Sequence, residues 1–210
     1  MPNRPDISQY LVHFTRDGNP CSTLEANPTM AFASMSALQK IISILNAKKI
    51  SKSTLPWTGG EAVCFTECPW TSLLAHAEKY SPYGLGFKKS YIYKNDGGPI
   101  FYIRPDMWRT EIRTASSLFR AFASPFCPSY ADIGHRRRFF HGKVCDYTHE
   151  REWRVPHDFE FDISDIAFVI VKTYDDISQF NSSIVNTIGL DNFLSMQNYQ
   201  AVEGFWPVHK

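Results

Sequence analysis

The chain has 210 residues, and its 22 lysines and arginines stand against 21 aspartates and glutamates, a formal net charge of +1. A balance this close to zero gives no global field for a polyanion, so any nucleic-acid contact has to rest on a local patch. Apolar residues make up 43% and aromatic rings 15% of the sequence, enough to fill a sizeable core and leave rings to line a pocket.

In chain order, Tyr10 to Thr15 reads as a first strand, rich in rings and β-branched residues and ending at the turn signal Asp17-Gly18-Asn19-Pro20. Alternation puts Tyr10, Val12 and Phe14 on a wholly apolar face expected to meet the core. Leu11, His13 and Thr15 are then expected to face a cleft or a second layer. From Met35 to Lys48, Leu38, Ile41, Ile42 and Leu45 recur at helical spacing, with Ser34 or Ser36 as cap. Ala62 to Thr66 is a second strand, and Pro69 opens a helix expected from Trp70 to Tyr80. Leu85-Gly86-Phe87 is a strand whose flanking glycines point to a bulge or to close approach by other atoms.

Tyr91 to Tyr93 is read as an extension of that strand. Asn95-Asp96-Gly97-Gly98 is a hairpin-type turn, and Pro99 to Ile103 a returning strand. Asp106 caps a helix expected to run to about Phe122. Ser124 to His141 reads as irregular and carries the strong charge run His135-Arg136-Arg137-Arg138, followed by Phe139 and Phe140. Basic residues beside rings suit a phosphate backbone with exposed bases, and equally a solvated loop. Ile166 to Lys172 is a buried strand, Ser178 to Gly189 a helix, with a short helix near Asn192 and a closing segment Gly204 to Val208. Without repeats or a low-complexity linker, residues 1–210 are expected to form a single domain. The fold class is α+β: a mixed sheet with flanking helices.

No apolar run reaches the roughly 18 residues of a membrane-spanning helix, and the polar start Met1 to Asp6 does not read as a signal peptide, so none is expected. Five irregularly spaced cysteines suit a reduced, cytoplasmic chain without a zinc site. A Gly-rich phosphate loop and a serine-nucleophile elbow are both absent. A nucleotide would have to be held by side chains and rings.

The stretch His149-Glu150-Arg151-Glu152-Trp153-Arg154-Val155-Pro156 carries the most chemical information. In an extended strand, Glu150 and Glu152 project to one face, and Arg151 and Trp153 to the other. Two carboxylates on one face repel each other, a cost found at sites of chemistry as well as on solvated strands.

Taken together, His13-Phe14-Thr15, Cys64-Phe65-Thr66-Glu67, Tyr83-Gly84-Leu85-Gly86-Phe87, Gly97-Gly98-Pro99-Ile100-Phe101-Tyr102-Ile103 and Glu150-x-Glu152-Trp153-Arg154 resemble the AbiGi-type phage-resistance proteins. More distantly, they resemble the DarT-type ADP-ribosyltransferases. The resemblance spans about His13 to Pro156. It implies a split, mixed β-sheet with an NAD-binding cleft, in a phage-defence or toxin–antitoxin setting with a cognate antitoxin. By position, His13, Phe14 and Thr15 match the NAD-contacting strand, and Glu152 matches the late catalytic glutamate. Glu150 matches the first acid of the pair, orienting or deprotonating the nucleophile. Phe65 or Tyr83 would stack on nicotinamide. NAD would be a co-substrate and no metal is implied.

Arg136, Arg137 and Arg138 favour RNA or DNA as acceptor over protein. The family's arginine beyond the second strand has no clear match, and the segment after Thr15 is longer than usual. AbiGi-type proteins have also been labelled antitoxins, so a non-catalytic binding module stays open. So does a metal-independent ribonuclease using His13, His135 or His141.

Overall fold

The computed structural model of the chain describes residues 7–18, 34–67, 80–104, 106–107, 112 and 114–198, and for His135 and Phe139 the backbone alone. The helix expected from Trp70 and the closing segment Gly204 to Val208 lie outside the described residues.

Strand β1 (Tyr10–Phe14) lies in the middle of a sheet with β4 (Glu61–Thr66) on one side and β5 (Gly84–Lys88) on the other, both antiparallel to it. Beyond β4 come β9 (Glu152–Val155) and then β6 (Gly98–Pro99); beyond β5 come β11 (Ile166–Val171) and then β12 (Phe193–Ser195). β11 and β12 run parallel, and β3 (Ser53–Thr54) pairs with β4 off the main path. The fold is therefore α+β around a mostly antiparallel mixed sheet. Its path is continuous from β12 to β6. Two small ladders stand apart: β2 (Lys49–Ile50) with β10 (Phe159–Glu160), and β7 (Phe101–Ile103) with β8 (Ala123–Pro125).

The first helix, α1 (Ala37–Ala47), starts at a capping box in which Ser36 receives the Gln39 amide and Gln39 returns a bond to the Ser36 amide. It ends at Lys48, which takes a left-handed conformation, φ 51°. Its buried stripe, Leu38, Ile41, Ile44 and Leu45, covers one face of the sheet. That face bears Leu11, Val63, Phe65, Leu85, Phe87, Val155 and Val169, with Phe159 and Phe161 added from β10 and the residues after it. Each fully buried Leu, Ile or Phe contributes about 1.5–3 kcal/mol, so this is the dominant core. It also fixes the register, because a one-residue slip would turn the whole apolar set to the other side.

The expected facing of β1 is thus reversed. Leu11 is wholly buried in the main core, while Val12 and Phe14 join Phe168, Ile170 and Met196 in a smaller cluster on the far face. The glycines of β5 serve close approach on that far face. A Cβ on Gly86 would run into the Phe168 ring, and one on Gly84 would lie 2.8 Å from Val12. The register irregularity falls in β11, between Ile166 and Phe168.

Several other expectations change. Tyr91 to Tyr93 belongs to a short helix, α2 (Lys89–Lys94), and β6 leaves the following turn to pair with β9, so no hairpin forms. The helix expected from Asp106 is interrupted before α3 (Ser117–Phe122), where Ser116 is extended and caps the new start through the Phe119 amide. The basic run is not irregular. It forms α4 (Ile133–Phe140), whose first turn is tied by Asp132 Oδ1 accepting from the Gly134 amide at 2.8 Å. The expected helix near the end begins later, as α5 (Ser182–Ile188) with Asn181 as cap and Gly189 closing it at φ 86°.

Candidate active site

The register sorts the candidate residues by face. Val12 pairs with Thr66, and Thr66 with Glu152; Cys64 pairs with Arg154 and Phe65 with Trp153. His13, Phe65 and Trp153 therefore share the core face, and Phe14, Cys64, Thr66, Glu152 and Arg154 share the far face.

On the core face, the His13 ring packs edge-on against Phe65, centroids 5.8 Å apart, and its Nδ1 lies 2.9 Å from the Cys64 carbonyl. A carbonyl only accepts, so Nδ1 carries the proton. Burial holds the imidazole pKa below its ordinary value, against the opposing pull of that carbonyl. Phe65 is 2% exposed, enclosed by Phe87 and Phe159. It has no free ring face to offer nicotinamide. Thr15 is buried too, donating its hydroxyl to the Ala37 carbonyl at 2.8 Å, while its amide bonds the Tyr83 carbonyl. Tyr83 packs against the main core and donates its hydroxyl to Asp176 at 3.2 Å. These four residues build the fold, and the sheet separates His13 and Phe65 from the two glutamates.

Polar side chains gather on the far face. Arg154 donates from Nε to Glu152 Oε1 at 2.7 Å and from Nη2 to Oε2 at 3.0 Å. Its third nitrogen, Nη1, donates to the carbonyls of Ala121 and Ala123, both at 2.9 Å. The guanidinium thereby ties β9 to the end of α3 and fixes the carboxylate in a two-pronged grip. Cys64 lies beside the pair. Burial first, and then the Glu152 carboxylate, pushes its thiol pKa far up, so it stays protonated and is not a thiolate nucleophile.

Glu150 is not on the strand. It ends a 3-10 turn, Thr148–Glu150, and Arg151 then takes a left-handed conformation, φ 44°, before β9 begins. The turn is anchored by Thr66, which donates its hydroxyl to the Glu150 carbonyl at 2.6 Å. The buried Glu150 carboxylate receives the Tyr80 hydroxyl, 2.8 and 2.9 Å from its two oxygens. Tyr80 stacks nearly parallel to Phe14, centroids 6.3 Å apart, and the Arg16 guanidinium sits 4.3 Å from the Tyr80 ring centre. Burial first, and then Glu150, raises the Tyr80 phenol pKa; Glu152 adds to it. Tyr102, bonded to the Tyr147 carbonyl, is raised by burial and by both acids, Glu152 first. The two carboxylates thus act on the same two phenols.

Arg136, Arg137 and Arg138 sit on successive positions of α4, roughly 100° apart around its axis, so they cannot converge on one phosphate. Arg137 and Arg138 are exposed, and the Nε of Arg136 is buried without a hydrogen-bond partner among the described residues.

Sequence reading missed Tyr80, Tyr102, Arg16 and Arg154. For Arg154 a signal was present, because opposite charges at i and i+2 of a strand meet on one face. The others depend on tertiary placement. Among the described residues no group of three or more His, Cys, Asp or Glu is placed to hold a metal ion, and no helix is long and apolar enough to cross a membrane. Comparison with family models, curated proteins and solved structures returned no match.

Proposed function

We propose that this chain is an NAD-dependent ADP-ribosyltransferase of a phage-defence or toxin–antitoxin system, modifying nucleic acid and held in check by a cognate antitoxin. One observation carries the reading. Glu152 is fixed by Arg154 on the same sheet face as the Phe14–Tyr80 ring pair, with Glu150 held close by Tyr80. The motif resemblance supports it. The chemistry fits as well, since cleavage between nicotinamide and ribose builds positive charge on the sugar, as in glycoside hydrolysis.

Glu152 accepts one N–H on each oxygen from Arg154 and keeps further lone pairs for a ribose hydroxyl. A carboxylate so fixed opposes the charge as it develops, without having to reorganise. Glu150 receives the Tyr80 proton donor and is placed to orient or deprotonate the acceptor, a general-base role worth about 10²–10⁴ in rate. Phe14 and Tyr80, in place of Phe65 and Tyr83, offer the rings beside these acids.

The test is release of nicotinamide and transfer of labelled ADP-ribose to RNA, DNA and protein, compared between wild type and Glu152→Gln. The variant keeps the side-chain shape but leaves the Arg154 charge uncompensated, so it is expected to melt below wild type and, at a temperature where it stays folded, to lose transfer by about 10³-fold. Full activity in Glu152→Gln would remove the assignment. A second reading, a non-catalytic binding module, is favoured by the way both acids are bonded into the fold as struts. It predicts no NAD turnover by the wild type and a stable complex with a partner protein.

A further inference from the structure

A cleft of about 420 Å³ opens between the β3–β4 turn and α3, lined by Lys52, Gly59, Gly60, Glu61, Leu118, Arg120 and others. Gly60 lets the β3–β4 turn press against α3, where a Cβ would lie 2.6 Å from the Arg120 carbonyl carbon. Gly59 holds φ +63°, and a Cβ there would come within 3.9 Å of Arg120 Nη1. The charges in the cleft are not balanced. Of the charged residues lining it, Lys52 and Glu61 pair with each other at 2.7 Å; Asp158, which accepts the Lys52 amide from outside the lining, is engaged by Lys49 at 2.6 Å. Arg120 has no acidic partner among the described residues, and its Nε is buried without a hydrogen bond. A half-buried guanidinium lining an open cleft is matched to an oxyanion, which its fork can bond twice.

Next to the cleft stands an exposed ring. Trp57 is 47% exposed and meets Phe140 of α4 edge-on, centroids 5.3 Å apart. Phe140 packs with Cys127, Cys145 and Tyr147, and Tyr147 lies just before the Glu150 turn. Trp57 thus stands two residues before Gly59 of the cleft, and its partner Phe140 belongs to the small cluster that reaches Tyr147. Pro156 at the cleft, just past the end of β9, and Glu152 at its start are four residues apart, at most about 13 Å at about 3.3 Å per residue.

We propose that this cleft and Trp57 form a subsite for single-stranded nucleic acid, Arg120 holding a backbone phosphate and Trp57 stacking on a neighbouring base. The proposal rests on nucleic acid being the acceptor, and it names where the strand is gripped away from the reacting atoms. A cation for the backbone beside a ring for a base is the pairing by which single strands are held without sequence readout.

Binding is measured without NAD, so the result is independent of transfer. Fluorescein-labelled oligo-dT and oligo-rU of about ten nucleotides are titrated by anisotropy at several salt concentrations against wild type, Arg120→Gln, Arg120→Lys and Trp57→Leu. Arg120→Gln is expected to weaken binding about tenfold and to lower the salt slope by about one unit, with the slope restored in Arg120→Lys. Trp57→Leu is expected to weaken binding about tenfold and to leave an abasic oligomer unaffected. Wild-type affinity in both Arg120→Gln and Trp57→Leu overturns the subsite, whether or not transfer is seen. Displacement of the oligomer by inorganic phosphate at equal phosphate concentration also overturns it, marking a general anion site.

Discussion

On β4 and β9, neighbouring residues face opposite ways: Phe65 and Trp153 turn to the core, and Cys64, Glu152 and Arg154 turn to the far face. Each face buries polar groups, and each removes the cost differently. The core face holds His13 with its pKa lowered by burial, so the ring sheds its charge. The far face keeps its ions and pairs them, Glu152 with Arg154. A lone buried charge is driven to neutralise, whereas a pair with good geometry and further hydrogen bonds can stay ionised. Fixed charge is what a reaction with a cationic transition state needs, which is why the proposed reaction is assigned to the far face and not to the core face.

The largest effect that tests this contrast falls on the core face. Phe65 sits among Phe87, Phe159 and His13. Phe65→Ala is expected to lower the unfolding free energy by about 3–5 kcal/mol in urea titrations. Phe14→Leu on the far face, in the smaller cluster with part-buried Phe168, should lower it by much less. Equal losses would mean that the two faces share the core evenly.

Arg154→Met removes the partner of Glu152 and the donor to Ala121 and Ala123. The expected loss is about 2–3 kcal/mol, below the value for a fully enclosed pair because Glu152 is 13% exposed. Combining Arg154→Met with Glu152→Leu should recover most of that loss, since no charge is then left unpaired. A double variant as unstable as the single one would mean that the bonds to the Ala121 and Ala123 carbonyls carry the stability and the ion pair does not.

Much of the sheet was legible because its strands are strongly apolar. Leu11 to Phe14, Ala62 to Phe65 and Ile166 to Val171 all fall on observed strands, and α1 follows its stripe. Facing was not legible on β1, because both sides of it are covered. With Leu11, Val12 and Phe14 all packed, alternation cannot say which cluster is larger. The rings Tyr91 and Tyr93 favoured a strand by propensity, yet α2 forms, with Ile92 as its buried residue. α4 escaped notice because Arg136, Arg137 and Arg138 interrupt any apolar stripe. In the candidate site, Glu152 was legible from strand alternation, as the partner-facing residue next to Trp153. The displacement of Glu150 was not, since the left-handed Arg151 that turns it off the strand has no glycine or asparagine to announce it. Tyr80 reaches Glu150 across 70 residues of sequence, a contact that no local pattern encodes.

The smallest effect concerns His13 and follows from the direction of its shift. Its folded-state pKa lies below the ordinary value near 6.5, so the unfolded chain binds the proton more readily. Stability linked to His13 is fully present above about pH 6.5 and is lost as the pH falls from there toward the lowered folded value. A single proton sets a limiting slope of about 1.4 kcal/mol per pH unit in that window. His13→Asn keeps a donor for the Cys64 carbonyl but cannot take up the proton. Urea midpoints for wild type and His13→Asn, taken between pH 7.5 and pH 5, should therefore converge as the pH drops, with the wild type losing its advantage. Parallel curves would show that His13 titrates as freely in the folded chain as in the unfolded one. The ring would then have to be open to water, and the core face would no longer differ from the far face in how it holds a polar group.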